Sequence, residues 1–228
     1  MNLAVIDTLF DFLPEPLTSG KIEVRKLGRQ SYSPVFEAMK SYTRLRKQQP
    51  ELGLIDQLWI VEHDPVYTLG QSTRQEHLPS SDTPGSTIDI VPIDRGGQIT
   101  YHGPGQIVLY FLLNLSHRRQ TVRWLISLME NIVIDLLAQY GIDAVARADA
   151  PGVYVNDAKI AAVGIRIQRG CSYHGLALNV SMDLSPFDWI NPCGYQGMKV
   201  TQLSDLVSDC DMSLIQNQLI ELVISRLH

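Results

Sequence analysis

Cys193 and Lys159, together with one glycine-rich loop, are the residues in this sequence best suited to carry out chemistry. Cys193 stands in Trp189-Ile190-Asn191-Pro192-Cys193-Gly194-Tyr195, where proline and glycine hold it in a turn and not in a core element. With Asn191, Gly194 and Gly197 beside it, the thiol is read as exposed and reactive instead of buried and inert. A thiolate is the attacking species, and a reference thiol pKa near 8.5 leaves only about 3 % ionised at neutrality. Such a cysteine therefore needs help. Lys159 follows the turn-forming pair Asn156-Asp157 and directly precedes the β-rich run Ile160 to Ile167. Alone, a lysine at a strand start is usually a solvated edge residue. As a partner to Cys193 it has two open roles, a cation that favours the thiolate or a desolvated neutral amine that accepts the proton.

The loop is Asp94-Arg95-Gly96-Gly97-Gln98-Ile99-Thr100-Tyr101-His102-Gly103-Pro104-Gly105-Gln106, with four glycines and a proline among hydrogen-bonding side chains. Glycines allow close backbone approach to a ligand and supply amides for a developing oxyanion. The order Gly-x-Gly-x-x-Gly is missing, as is a Walker lysine motif, so no nucleotide cofactor is indicated. The small residues Ala161, Ala162, Gly164 and Ala177 beside Ile160 and Leu176 suit the walls of a narrow apolar slot. His102 and His174 read as hydrogen-bonded structural histidines, and no metal site is expected.

These groups must be positioned by a mixture of helices and strands. Ser33-Pro34 ahead of Val35, Met39, Tyr42 and Leu45 predicts a serine-capped helix ending before Pro50. Short strands are expected at Leu58 to Val61 and Val91 to Ile93, a surface loop at Gln71 to Ser86, and a longer buried strand at Gln106 to Asn114. Thr121 to Tyr140 has a helical apolar stripe stopped by Gly141. Gly152 to Val155, Ile160 to Ile167 and Leu176 to Val180 read as a meander whose first turn is Asn156-Asp157. Thr201 to Val207 and Leu214 to Leu227 are predicted as closing helices, giving an α+β class with a largely antiparallel sheet.

Composition narrows the function. The 228 residues fit one domain, 45 % are hydrophobic, and the net charge of −5 argues against general nucleic-acid binding. No apolar run is long enough to span a membrane, and Met1 to Gly20 carries acidic but no basic residues, the wrong charge for a leader, so a cytoplasmic protein is expected. Three scattered cysteines form neither a disulfide framework nor a zinc site.

Three blocks occur in a recognisable order: Arg95-Gly96-Gly97 with Thr100-Tyr101-His102-Gly103-Pro104-Gly105-Gln106; Gly152-Val153-Tyr154 with Lys159-Ile160; and Asn191-Pro192-Cys193-Gly194. In this the chain resembles the octanoyltransferase family of lipoate biosynthesis. Arg147-Ala148-Asp149-Ala150-Pro151-Gly152, His174-Gly175-Leu176-Ala177-Leu178-Asn179 and Met182-Asp183-Leu184 also match, so the resemblance spans Val24 to Leu206. It implies the fold of the biotin and lipoate protein ligase catalytic domain, a mixed, mostly antiparallel sheet flanked by helices, as one domain over residues 21–228 behind an extension at 1–20. The resemblance further implies transfer of an octanoyl group from octanoyl-acyl carrier protein to a lysine of lipoyl domains, those of 2-oxoacid dehydrogenase complexes and the glycine cleavage H protein. No ATP, metal or other cofactor is implied, and a monomer is expected. By the same resemblance Cys193 carries the acyl thioester and Lys159 is its base or lowers its pKa. Arg95, Gly96, Gly97, Gln98, Ile99, Thr100, Tyr101 and His102, with Ala162, Val163, Gly164, Gly175, Leu176 and Ala177, would line the acyl and phosphopantetheine site. An ATP-dependent ligase of the same fold, a cysteine hydrolase and a non-catalytic binder of acylated carriers are the competing readings.

Overall fold

The computed structural model describes residues 13–17, 22–80, 82–190 and 198–227, so Cys193 lies outside the described residues. Strand β1 (Ile22–Gln30) leads into helix α1 (Tyr32–Gln48), β2 (Asp56–His63) and β3 (Val66–Leu69). After a polar stretch come β4 (Asp89–Pro92), β5 (Ile99–His102) and β6 (Gln106–Leu112). A short helix α2 (Leu115–Arg118) and the long α3 (Val122–Gln139) precede β7 (Val145–Ala146), β8 (Gly152–Val155), β9 (Ala158–Gln168) and β10 (Cys171–Asn179). Helix α4 (Met212–Leu227) closes the described chain.

Among the described residues the strands form two sheets. The larger has the order β1-β2-β6-β10-β9-β8-β7 and the smaller β4-β3-β5. Pairing is antiparallel except between β1 and β2 and between β3 and β4. Strand alternation decides the packing. Ile107, Leu109 and Phe111 of β6 enter the core covered by α3 and α4, while Val108, Tyr110 and Leu112 enter the core covered by α1. A central strand buried on both faces needs an unbroken apolar run, which is what Gln106 to Asn114 carries. Each large apolar side chain buried this way stabilises the fold by about 1.5–3 kcal/mol. A third, smaller core joins Tyr67, Ile99 and Tyr101 of the three-stranded sheet to Met182, Phe187 and Ile190. The α+β class and the helix-flanked mixed sheet are as the sequence predicts.

Local signals succeed where their partners are local. The Thr121 hydroxyl accepts from Trp124 N–H at 3.1 Å and caps α3. Asn156 and Asp157 take φ of 46° and 68° in the two-residue turn between β8 and β9. The cap of α1 differs: the helix begins at Tyr32, Ser33 falls inside its first turn, and Ser31 Oγ donates instead to Asp64 at 3.1 Å. Residues 201–207 do not form a helix beyond one 3₁₀ turn, Leu203–Asp205. Their backbone is committed elsewhere, Thr201 N–H donating to Lys159 O at 3.0 Å and Ser204 N–H to Val180 O at 2.9 Å.

The glycine-rich segment is not one continuous loop, since β5 lies within it and pairs with β3, Thr68 opposite Thr100. Its closing turn depends on Gly105. At φ +85° a Cβ there would sit 1.8 Å from the Ser181 carbonyl oxygen, and that approach lets Gly105 O accept from Val180 and Ser181 N–H.

Candidate active site

Three sheet strands, one loop and the first turn of α1 enclose a cavity. In cross-strand register, Ala162 of β9 faces Ala177 of β10, which faces Val108 of β6. Two residues along, Gly164, Gly175 and Tyr110 form the next row. On β9 and β10 the rows are alanine and glycine, so the sheet surface is hollowed there into a slot. Arg95 to His102 cover it, and every residue of that segment except Tyr101 reaches the cavity. Ala162, Val163, Gly164, Gly175, Leu176 and Ala177 form the facing wall, with Lys159 at one end. The Tyr101 ring lies in the third core, where it packs on Tyr67 and edge-on to Phe187 at ring distances of 5.7 and 5.6 Å. Tyr101, expected among the site residues, does not line this cavity; its ring packs behind the segment.

The covering loop is fixed by its own arginine. Arg95 is buried; Nη2 donates to Thr68 O and Thr68 Oγ1 at 2.9 and 3.0 Å, and Nη1 donates to Gly96 O at 3.0 Å. Gly96 N–H crosses to Ile165 O at 3.1 Å, tying the loop to β9. Charge-assisted bonds of this kind are stronger than neutral ones and hold the wall in one position.

Lys159 is 4 % exposed, an unusual burial for lysine. Its Nζ donates to Pro151 O at 3.2 Å and lies 5.2 Å from the Tyr154 ring centroid. The carbonyl contact takes a proton donor and the ring suits a cation, while burial acts against the charged form. Its backbone is clamped by the returning chain, N–H to Lys199 O at 2.8 Å and O from Thr201 N–H at 3.0 Å. Gly152 makes room for it: at φ +141° a Cβ would lie 2.5 Å from Ala161 O and 3.1 Å from Lys159 Cε.

The other end of the slot is polar and buried. His102 Nδ1 donates to Gln106 Oε1 at 2.7 Å, and Gln106 Nε2 donates to Asn179 Oδ1 at 2.9 Å, so the neutral Nδ1–H tautomer of His102 is the one bonded. Burial first, and the neighbouring His63 second, lower its pKa to about 3. His63 donates from Nδ1 to Gln30 O at 2.9 Å and accepts the Tyr110 hydroxyl at Nε2, 2.7 Å away; burial lowers its pKa to about 4. Burial raises the phenols Tyr32 and Tyr110 above the ordinary tyrosine range. His174 is also held low by burial, against the pull of Asp94, whose carboxylate accepts from His174 Nε2 at 3.1 Å and from the Tyr173 hydroxyl. These rings are neutral at physiological pH and serve as a rigid floor instead of as proton carriers. Among the described residues no group of three or more His, Cys, Asp or Glu is placed to hold a metal ion.

The slot is lined largely by small residues, with the buried Lys159 among its lining. The family of the lipoyl protein ligase A/B catalytic domain matches residues 32–223. An octanoyltransferase of Vibrio vulnificus (strain YJ016) is 49 % identical over 207 residues, 91 % of this chain and 91 % of its own. One from Dechloromonas aromatica is 56 % identical over 182 residues, 80 % of this chain and 85 % of its own. The chain belongs to the octanoyltransferase family. Membership makes it an acyltransferase of lipoate biosynthesis. Solved structures share the fold at low identity. Lipoate-protein ligase A bound with ATP superposes with a TM-score of 0.69 at 17 % identity, over 92 % of this chain and 86 % of that one. The bi-partite lipoate protein ligase from Thermoplasma acidophilum gives 0.65 at 17 %, over 92 % and 84 %.

The cavity gathers residues of the glycine-rich segment and of β9 and β10 that the sequence singles out, and others that it does not. Tyr32, Val108 and Tyr110 also line the cavity, as does His174, singled out in the sequence only as a structural histidine. The alternation of β6 was a usable signal, because it puts Tyr110 on the same face as Val108. Tyr32 gave none, since its place depends on how α1 packs across the sheet. Among the described residues, no helix is long and apolar enough to cross a membrane.

Proposed function

We propose that this protein transfers an octanoyl group from octanoyl-acyl carrier protein to a specific lysine of lipoyl domains, those of 2-oxoacid dehydrogenase complexes and the glycine cleavage H protein. The transfer proceeds through a thioester on Cys193, in the cytoplasm, as the first step of endogenous lipoylation. The observation that carries this reading is Lys159, buried at the end of an alanine- and glycine-walled slot in a member of the octanoyltransferase family.

The thiol assignment rests on Cys193. Cys171 is buried at the start of β10 and Cys210 donates to Val207 O; neither lines the cavity. The segment holding Cys193 is flanked by wall contacts on both sides. Ile190 shares a core with the wall residue Ile99, and Lys199 bonds the backbone of Lys159.

In the first step the Cys193 thiolate adds to the octanoyl thioester carbonyl and the carrier thiolate departs, leaving octanoyl-Cys193. The Lys159 ammonium favours the attacking thiolate electrostatically. In the second step the neutral amine of the acceptor lysine adds to that carbonyl, gives up a proton to water, and expels the Cys193 thiolate as the amide forms. Thioester-to-thioester exchange is near balance and thioester-to-amide exchange runs downhill, so the sequence of steps needs no nucleotide. Backbone amides of the glycine-rich segment supply oxyanion donors, an arrangement whose loss commonly lowers rate by two or three orders of magnitude.

The test is intact-mass spectrometry of a lipoyl domain incubated with the protein and octanoyl-acyl carrier protein without ATP. An octanoyl adduct on one acceptor lysine, with a hydroxylamine-sensitive adduct on Cys193, is the expected result. Transfer that requires ATP and survives Cys193→Ala would replace this reading with a ligase, and free octanoate as the main product with a hydrolase.

A further inference from the structure

Glu130 lies on the face of α3 that otherwise supplies Met129, Ile132, Val133 and Leu136 to the core, and it is 8 % exposed. A glutamate is seldom buried in such a setting without a partner that needs it. Its Oε1 accepts the backbone N–H of Gly152 at 2.9 Å. The two preceding residues are held as well. Tyr154 donates its hydroxyl to Ala150 O at 2.8 Å, and the carbonyl between these two anchors, Pro151 O, accepts from Lys159 Nζ at 3.2 Å. Each of three consecutive residues, Ala150, Pro151 and Gly152, thus has one backbone group bonded by one side chain. The outer two bonds leave the middle carbonyl a single direction, toward Lys159. The ring of Tyr154 also lies against the same ammonium.

We propose that Glu130 is a positioning residue for the reaction: through its bond to Gly152 N–H it aims the Pro151 carbonyl, and so sets where the Lys159 ammonium sits. The proposal rests on the role assigned to Lys159 above. Placement matters because electrostatic help to a thiol falls off with distance, and a misplacement of about 1 Å can lower rate by about a hundredfold. Glu130 touches neither acyl donor nor acceptor in this scheme, so its removal acts on turnover and on the pH dependence of the thiol and leaves substrate affinity nearly intact.

The experiment compares full-length Glu130→Leu, Glu130→Gln, Tyr154→Phe and Lys159→Ala with the parent enzyme. It measures kcat and KM for octanoyl transfer, and the pH dependence of Cys193 alkylation by iodoacetamide, read by mass. Glu130→Leu should lower kcat by about tenfold or more with KM for the octanoyl donor within about threefold, and move Cys193 alkylation to higher pH. Glu130→Gln keeps a carbonyl oxygen for Gly152 N–H and should restore most of both. Tyr154→Phe keeps the ring and loses only the bond to Ala150 O, so it should shift the alkylation profile in the same direction by less; it provides the reading if Glu130→Leu fails to fold. A Gln variant as impaired as Leu, or a folded Leu variant with the parent alkylation profile, overturns the proposal. Parent-like kcat and alkylation in Lys159→Ala would instead overturn the role of Lys159, a distinct failure.

Discussion

Lowering the pH from 7.5 to 4.5 should remove about 5 kcal/mol of stability, and most of that loss traces to His63 and His102 beneath the cavity. Folded, the two imidazoles have pKa values lowered to about 4 and about 3 from an ordinary 6.5. The unfolded chain therefore binds two protons that the folded protein refuses as pH falls below 6.5. Stability from this source is complete above pH 6.5, declines by about 1.4 kcal/mol per pH unit for each ring, and stops declining only below the folded values. Over the two units from 6.5 to 4.5 each ring accounts for about 2.7 kcal/mol, and the pair for about 5, comparable with the whole stability of many domains, about 5–15 kcal/mol. The Asp94 carboxyl, held below its usual value by His174 and Tyr173 although burial acts to raise it, titrates in a lower window. The loss between pH 6.5 and 4.5 therefore reports chiefly on histidine. Urea unfolding followed by tryptophan fluorescence at half-unit pH steps measures it, with histidine ring resonances by NMR assigning the sites. The expected slope is about 2.7 kcal/mol per pH unit between pH 6 and 5, and His63→Gln should reduce it to about half. Either ring titrating near 6.5 in the folded protein, or a total loss under about 1 kcal/mol, would refute the argument.

Three further outcomes are expected. Gly105→Ala forces a Cβ to within 1.8 Å of Ser181 O at a left-handed φ, and should lower thermal stability by several degrees and disturb the turn ahead of β6, seen as faster amide exchange at Val180 and Ser181. Asp56 accepts from Arg46, Arg118 and Asn114 N–H; Asp56→Ala leaves buried guanidinium charge without its counter-ion and should cost about 3–5 kcal/mol in denaturant unfolding. Ala177→Leu fills the slot between Val108 and Ala162 and should shift donor preference toward shorter acyl groups. Two excluded methylenes at about 0.8 kcal/mol each correspond to about a tenfold change in the hexanoyl-to-octanoyl ratio of kcat/KM in competition assays.

The legible parts of this protein were those whose causes are local. Thr121 and Gly141 bracket α3 because a cap hydroxyl and a left-handed glycine act within one turn of the helix they end. Asn156-Asp157 marks the β8–β9 turn by the same logic, and the glycine-rich segment announces a wall because only a backbone that must approach something closely needs so many glycines. Composition and alternation were enough for the α+β class, and the ordered blocks from Arg95 to Cys193 were enough for the family.

What the sequence could not decide depends on residues far apart in the chain. Strand β5 is hidden inside a loop-like segment because its only reason to be a strand is β3, far earlier in the chain, in the register Thr68 with Thr100. Residues 201–207 read as helix by propensity, but β9 and the end of β10 take their backbone donors first. Glu130 reads as an ordinary polar position on a helix, and only the packing of α3 against the start of β8 makes it the anchor of Gly152. Tyr32, His63 and Tyr110 come from three separate elements and meet under the slot. Burial there, unreadable from any one of them, fixes their protonation. The sequence by itself determined the chemistry available and the local turns; the tertiary structure decided the environment of each group, because desolvation and hydrogen-bond geometry are properties of neighbours that sequence order does not bring together.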